Sequence, residues 1–208
     1  ISFNADSTVI VRNNYIENYN LRLDDGGAIT TGAPNSYGTK IEGNICLNGG
    51  WGSAPKGTTD TGTLSVGIYL DDNCSNVEVS NNTIVNCYWV GIYLHNANTN
   101  NIHHNTVFNC RGAQIRTADD VLGGDIYANT IQNNFFIAKQ STQTCANFSS
   151  NQNNLTTIGT LNGNIYSRPI DDNKTITIYQ PSTGSLSKTL SEWKTFSGQD
   201  ANSLGSPI

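Results

Sequence analysis

The chain has 208 residues, enough for one well-buried domain, with a formal net charge of −5 and only 13% charged residues. The acidic balance argues against a nucleic-acid partner, which needs clustered Lys and Arg to meet phosphate. No apolar run approaches the roughly 20 residues that span a bilayer. Asn, Gly, Ser and Thr fill the polar positions, β-branched residues are common and Met is missing, a composition that fits an all-β repeat fold better than a helical one. Ile1 stands close to the strand-like run at 7–11, so an internal piece of a longer polypeptide is expected, with any signal peptide upstream.

Along the chain, an asparagine is followed four residues later by another in five similar phrases: Asn14 and Asn18, Asn44 and Asn48, Asn82 and Asn86, Asn105 and Asn109, Asn129 and Asn133. Asn164 opens a sixth that keeps only its first asparagine. Successive first asparagines lie 30, 38, 23, 24 and 35 residues apart. A short period with variable insertions describes a solenoid in which each turn is one coil. Between the phrases, Gly67-Ile68-Tyr69-Leu70-Asp71-Asp72 aligns with Gly91-Ile92-Tyr93-Leu94-His95-Asn96. Weaker copies stand at Gly112-Ala113-Gln114-Ile115-Arg116-Thr117 and Gly27-Ala28-Ile29-Thr30-Thr31. Each alternates with period 2, the mark of a short strand. A second strand type runs Asn76-Val77-Glu78-Val79, Asn101-Ile102-His103-His104 and Asp125-Ile126-Tyr127-Ala128. The third is the phrase itself, at Thr83-Ile84-Val85, Thr106-Val107-Phe108 and Thr130-Ile131-Gln132.

Three short strands in a coil of about 23 residues predict an all-β fold, a parallel β-helix with three sheets. Asparagines stacked at its corners can bond through their amides along the stack, and they tolerate the left-handed backbone of a tight corner. Over 139–161 the phrase gives way to Gln, Ser, Thr and Asn, which predicts an irregular coil or loop. Strand signals return at Asn164-Ile165-Tyr166 and Thr175-Ile176-Thr177-Ile178-Tyr179. Over 189–208 the character changes. Thr189 and Glu192 make a capping box ahead of Trp193 and Phe196, with Gly198 just after, predicting a short helix that covers the open end of a single domain over 1–208. Of the five cysteines, Cys87 and Cys110 both follow a second asparagine and so fall on adjacent coils, within reach of a disulfide or stacked as thiols. Cys46, Cys74 and Cys145 have no evident partner, and no metal-ligand spacing of the CxxC kind occurs.

The coil phrases, the Asp24-Asp25-Gly26-Gly27-Ala28-Ile29 run and the Gly67-Ile68-Tyr69-Leu70-Asp71-Asp72 run resemble secreted right-handed parallel β-helix proteins of the pectate-lyase-like superfamily. The nearest likeness is to carbohydrate-active members, β-helical glycoside hydrolases among them. The closing Leu190-Ser191-Glu192-Trp193-Lys194 and Gly198-Gln199-Asp200-Ala201-Asn202-Ser203 resemble the tail of many bacterial members. The resemblance implies a secreted or cell-surface protein with a polysaccharide or oligosaccharide partner. The fold also hosts lyases, epimerases and adhesins, and no complete catalytic motif of one family is matched.

If Ile68, Leu70, Ile92, Leu94, Ala113 and Ile115 point inward, Tyr69, Tyr93 and Gln114 form one outward column. Asp71, His95 and Arg116 then form the next. That second column sets a carboxylate, an imidazole and a guanidinium on successive coils, beside tyrosines whose faces suit sugar rings. Charges stacked on a sheet face also simply stabilise neighbouring strands. Asp24, Asp25 and Asp72 are further candidates, since a glycosidase needs two carboxyl groups. Aligning Gly27 with Gly67 puts Asp25 six positions before the Asp71 column, roughly 20 Å on a straight strand and too far for a pair unless the corner before Gly26 bends. No cofactor is predicted. Asp-Asp recurs at Asp24, Asp71, Asp119 and Asp171, where calcium is conceivable but no EF-hand-type spacing supports it, and Asx-turn corners explain the pairs. Trp51 lies in a Gly-, Thr- and Ser-rich insertion at 48–66, where it is a sugar platform or loop packing. His103 and His104 fall on another sheet, in solvated or cross-strand roles.

Three readings follow. A glycoside hydrolase would use Asp71 with Asp25 or Asp72 as acid and base or nucleophile. A polysaccharide lyase or uronate epimerase would use His95 or a tyrosine as base and Arg116 against the uronate, although the chain's 11 Lys and Arg are few for an acidic polymer. A non-catalytic adhesion module would carry the column as decoration. The first is preferred.

Overall fold

In the computed structural model, which describes residues 1–4, 8–21, 25–32, 34–50, 64–120 and 124–206, three sheets wind around one core. One sheet stacks Ile10–Arg12, Lys40–Glu42, Glu78–Ser80, Asn101–His103, Asn129–Gln132 and Gly159–Asn162. A second stacks Tyr15–Glu17, Ile45–Leu47, Thr83–Val85, Thr106–Phe108, Phe135–Ile137, Ile165–Ser167 and Leu204–Gly205. The third is built from longer strands, Gly26–Thr31, Ser65–Leu70, Val90–His95, Ala113–Ala118, Thr144–Ser149 and Ile176–Gln180, all parallel. It closes with Gly184–Lys188, paired antiparallel to its neighbour.

The registers stack like side chains on like. Val11, Ile41, Val79, Ile102, Ile131 and Leu161 make one buried column. Cys46, Ile84, Val107, Phe136 and Tyr166 make another, and Ile29, Ile68, Ile92, Ile115, Ala146 and Ile176 a third. A three-residue strand buries its central side chain and turns the flanking two outward, so each corner must come quickly. Asparagine supplies it. The residue before each ladder asparagine adopts a left-handed φ, as at Asn13, Asn81, His104 and Asn133, with Gly43 and Gly163 filling the other two places. From Asn44 onward the next asparagine is buried, and its Oδ1 accepts both the backbone N–H and the side-chain amide of the asparagine one coil before. For Asn82 and Asn105 these bonds are 3.0 and 2.9 Å. The ladder runs Asn14, Asn44, Asn82, Asn105, Asn134, Asn164. A second ladder joins Asn48, Asn86 and Asn109.

Three sequence expectations are corrected. The main ladder passes through Asn134, not Asn129, which instead accepts from Asn100 at a different corner. Consequently Thr130-Ile131-Gln132 lies in the same sheet as Asn101–His103, residues 125–128 form no strand, and Phe135–Ile137 takes the third-type position. Two asparagine corners in one coil offer the same short phrase, and the phrase alone does not distinguish the corner that carries the ladder. Residues 139–161 also form an ordinary coil, with strands Thr144–Ser149 and Gly159–Asn162 around a 3₁₀ turn at Leu155–Thr157. Its polar side chains are used inside: Gln143 bonds Asn109, and Ser150 bonds Asp119. The five cysteines are free and buried.

The end is closed as expected. A helix at Leu190–Ser197 starts at the Thr189–Glu192 capping box and stops at Gly198, whose φ of 69° is left-handed. Trp193 is fully buried against Phe148, and its indole N–H donates to Asp200 at 2.8 Å.

Candidate functional site

The long strands carry the site because they hold two outward columns. Val66, Gly67 and Ile68 break the alternation: Val66 faces out, whereas the Gly67 position and Ile68 both face the core. A Cβ on Gly67 would sit 2.4 Å from Ile84, and one on Gly91 would sit 2.1 Å from Val107, so the bend needs glycine at these coils. Beyond the bend, Tyr69 and Tyr93 stack outside at 5.1 Å between rings, and with Val66, Val90 and Ala118 they form a second apolar cluster. Both tyrosines are nearly buried. Trp89 meets Tyr93 edge-on.

Next along the strands, Asp71 follows Leu70 and His95 follows Leu94, one coil apart. His95 Nδ1 lies 2.9 Å from Asp71 Oδ1 and 3.5 Å from Asp72 Oδ1, while Nε2 lies 3.6 Å from Asp120 Oδ2. Asn96 donates to Asp72 at 2.7 Å. Three carboxylates therefore surround one imidazole. The Asp71 hydrogen bond raises the His95 pKa above its ordinary 6.5; burial opposes, and the charges of Asp71, Asp72 and Asp120 add to the rise. Burial pushes the Asp71 carboxyl up, but hydrogen bonds from His95, the Asp72 backbone and Tyr69 outweigh it and hold the group below 3.8. The Tyr69 hydroxyl also lies 3.4 Å from Asp25 Oδ1. Burial first, then the charges of Asp71 and Asp25, keep this phenol protonated far above its ordinary 10. Asp71, Asp72 and His95 offer one donor atom each within 4.8 Å of one another, a set able to share a cation.

On the other side of Tyr93 the face opens into a groove of about 490 Å³, lined by Trp89, Arg116, Asn147, Lys174, Thr177 and Tyr179 among others. The Arg116 guanidinium lies 5.6 Å from the Trp89 ring and 5.5 Å from the Tyr93 ring, and it donates to Asn147 at 3.1 Å.

The family model for the right-handed β-helix region matches residues 1–136 and again 65–182. The chain belongs to the right-handed β-helix family. Two overlapping matches are natural for a right-handed β-helix, whose coils repeat one unit along the axis. No curated protein and no solved structure matches the chain significantly.

In this right-handed β-helix, Asp71, His95, Tyr69 and Tyr93 stand together as expected, and Asp72 joins them. Arg116 does not stack on His95. Its register partner is Tyr93, while Ala118 pairs with His95. The coil here is 23 residues long, as from Asn82 to Asn105, so Tyr93 leads to Arg116. Gly112 stands two positions short of the residue one coil after Gly91. Gly91 is followed in register by Gln114, which is buried rather than outward, its amide bonded to Cys110 and Thr144. The 20 Å separation expected for Asp25 is also overturned: its left-handed φ of 53° turns the chain at the corner, and its carboxylate reaches Tyr69. Asp24 and Trp51 lie outside the described residues. The remaining Asp-Asp pairs hold corners: Asp119 accepts from Ser150 and Asn151, and Asp171 meets Arg168 and the Asn173 backbone. His103 pairs across strands with Glu78 at 3.3 Å. Sequence reasoning missed Trp89, Asn147 and Lys174. Asn147 was legible in principle, since it follows Arg116 in register, but it fell in the stretch read as irregular.

Proposed function

We propose that the chain is an extracellular carbohydrate-active enzyme, a glycoside hydrolase acting on a polysaccharide. The observation that carries this reading is the meeting of Asp25 and Asp71 on the Tyr69 hydroxyl, at the outer face beside an aromatic groove. Two carboxylates in contact with one hydroxyl stand at most about 7 Å apart, close enough to admit the roughly 5–5.5 Å of a retaining carboxyl pair. Asp71, held ionised by His95, suits the base or nucleophile. Asp25 meets the same Tyr69 hydroxyl and takes the acid role, whereas Asp72 crowds the same Nδ1 as Asp71. Tyr69 and Tyr93 form an aromatic wall between the carboxylates and the groove. The chemistry requires no cofactor.

A lyase or epimerase needs an unprotonated base beside a cation. Tyr93 neighbours Arg116, but burial raises its pKa above 10 despite the cation, and the carboxylates favour protonated His95. Both facts favour hydrolysis.

The test is a screen of neutral and uronate polysaccharides for new reducing ends and for the ultraviolet absorbance of an unsaturated product, with Asp71→Asn alongside. Reducing ends without absorbance, reduced roughly 10²–10⁴-fold in the variant, are expected. Absorbance rising with cleavage would mean a lyase, and silence across the panel would favour an adhesion module.

A further inference from the structure

The groove beyond Tyr93 has features that the carboxylate chemistry does not use. In register, Tyr93, Arg116, Asn147 and Thr177 follow one another on four successive coils. At roughly 4.8 Å per coil the column covers about 14 Å, a length comparable with a few pyranose residues laid along the axis. Arg116 is fixed in this column. Two aromatic rings flank its guanidinium, Asn147 accepts from it, and Asn147 is held in turn by donating to Thr177 at 2.9 Å. The Arg116 Nε is buried without an acceptor, an arrangement that sheet stability alone does not account for. Lys174 lines the same groove from a later coil. Neither cation forms an ion pair among the described residues, in a chain whose acidic groups outnumber its basic ones, 16 to 11. The planar fork of Arg is suited to bidentate contact with an oxyanion, and Lys adds a second charge. Trp89 and Tyr179 offer ring faces, and Asn147 and Thr177 offer polar partners for sugar hydroxyls.

We infer that the Arg116–Lys174 groove is a subsite for a sugar residue bearing an anionic substituent, a carboxylate or a sulfate, within the polysaccharide. The inference rests on the glycan reading for its ligand class. It makes the carboxylate network the cutting end and the cationic groove the selecting end of one face, with Tyr93 between them. The separation also keeps the anion away from Asp71, Asp72 and Asp120, which would repel it.

The experiment measures binding calorimetrically in the Asp71→Asn background, so that no polymer is consumed. The probes are matched pairs of oligosaccharides: oligogalacturonate and its methyl ester, oligoalginate and its carboxyl-reduced form, a sulfated galactan oligomer and its desulfated form. In at least one pair the charged member is expected to bind about tenfold or more tightly than its neutral counterpart, and less so at high salt. The pair that shows it assigns carboxylate or sulfate. Arg116→Gln and Lys174→Gln are each expected to abolish most of the preference, and Arg116→Lys to restore part of it. Lys174, partly exposed, reads the site even where Arg116→Gln disturbs the packing on Trp89. Equal binding of charged and neutral members in every pair would overturn the proposal, as would a preference that survives both substitutions. A Lys174-dependent preference in a protein that cleaves nothing would sink the hydrolase reading and leave the groove standing. Cleavage of neutral polymers with no charge preference would do the reverse.

Discussion

At the scale of residues, His95 and Asp71 govern one another. The His95 pKa is raised from 6.5, so its stabilising contribution is complete below that value and fades as pH climbs through the elevated pKa. The Asp71 pKa is lowered from 3.8, so its contribution is complete above that value and is lost as pH falls through the depressed pKa. The pair is therefore strongest between roughly pH 4 and 6.5. In His95→Asn, the loss in melting temperature relative to the parent is expected to be largest in that window and to shrink at alkaline pH. A pH-independent loss would mean that His95 stabilises by packing alone. The same variant removes the bond that keeps Asp71 acidic, so the acid limb of any hydrolytic profile moves to higher pH.

Elements are defined here by corners, and the asparagine ladder is what makes them. Asn105 is fully buried, accepts two bonds from Asn82, and donates to Val79, His103 and Asn134. Asn105→Ala strands two Asn82 donors in the interior, and each unmet buried donor costs about 1–3 kcal/mol. A loss of about 2–4 kcal/mol in urea unfolding, with the slope unchanged, is expected. A loss within the noise of a surface mutation would show that water replaces the ladder. The corner chemistry also explains which strand assignments held. The coil whose ladder asparagines are 23 residues apart, Asn82 to Asn105, matches the expected strands over 76–108, whereas the next coil, with two candidate asparagines at Asn129 and Asn134, falls one strand out of place.

The whole molecule is a stack whose last coil would be an open apolar end without its helix. Trp193 covers that end against Phe148 and ties Asp200 in place, and Asp200 also accepts from Tyr166 and Ser203. Trp193→Ala is expected to cost about 3–5 kcal/mol. Because a solenoid's coils contact mainly their neighbours, the damage should be local. Hydrogen exchange is expected to accelerate first at Ile176–Gln180 and Ile165–Ser167 while Val90–His95 stays protected. Uniform acceleration along the chain would show that the stack unfolds as one unit.

By itself the sequence determined the all-β solenoid, its three sheets and its capping helix. Those rest on periodicities: two along a strand, about 23 around a coil, and the capping box at Thr189 and Glu192. It also placed Tyr69, Tyr93, Asp71 and His95 on one face, because those two coils match without a gap. Only the tertiary structure decided which residues of separate coils meet. Arg116 moved to the tyrosine column because register is set by the coil length and not by the nearest glycine. Asp25 came to Tyr69 because one left-handed residue turned a strand that distance along the chain would have kept apart. Asn147 and Lys174 entered the groove from a coil and a turn with no repeat phrase of their own. Repetition fixes local geometry, and the sum of corners, bends and coil lengths, which no single phrase encodes, brings the chemistry together.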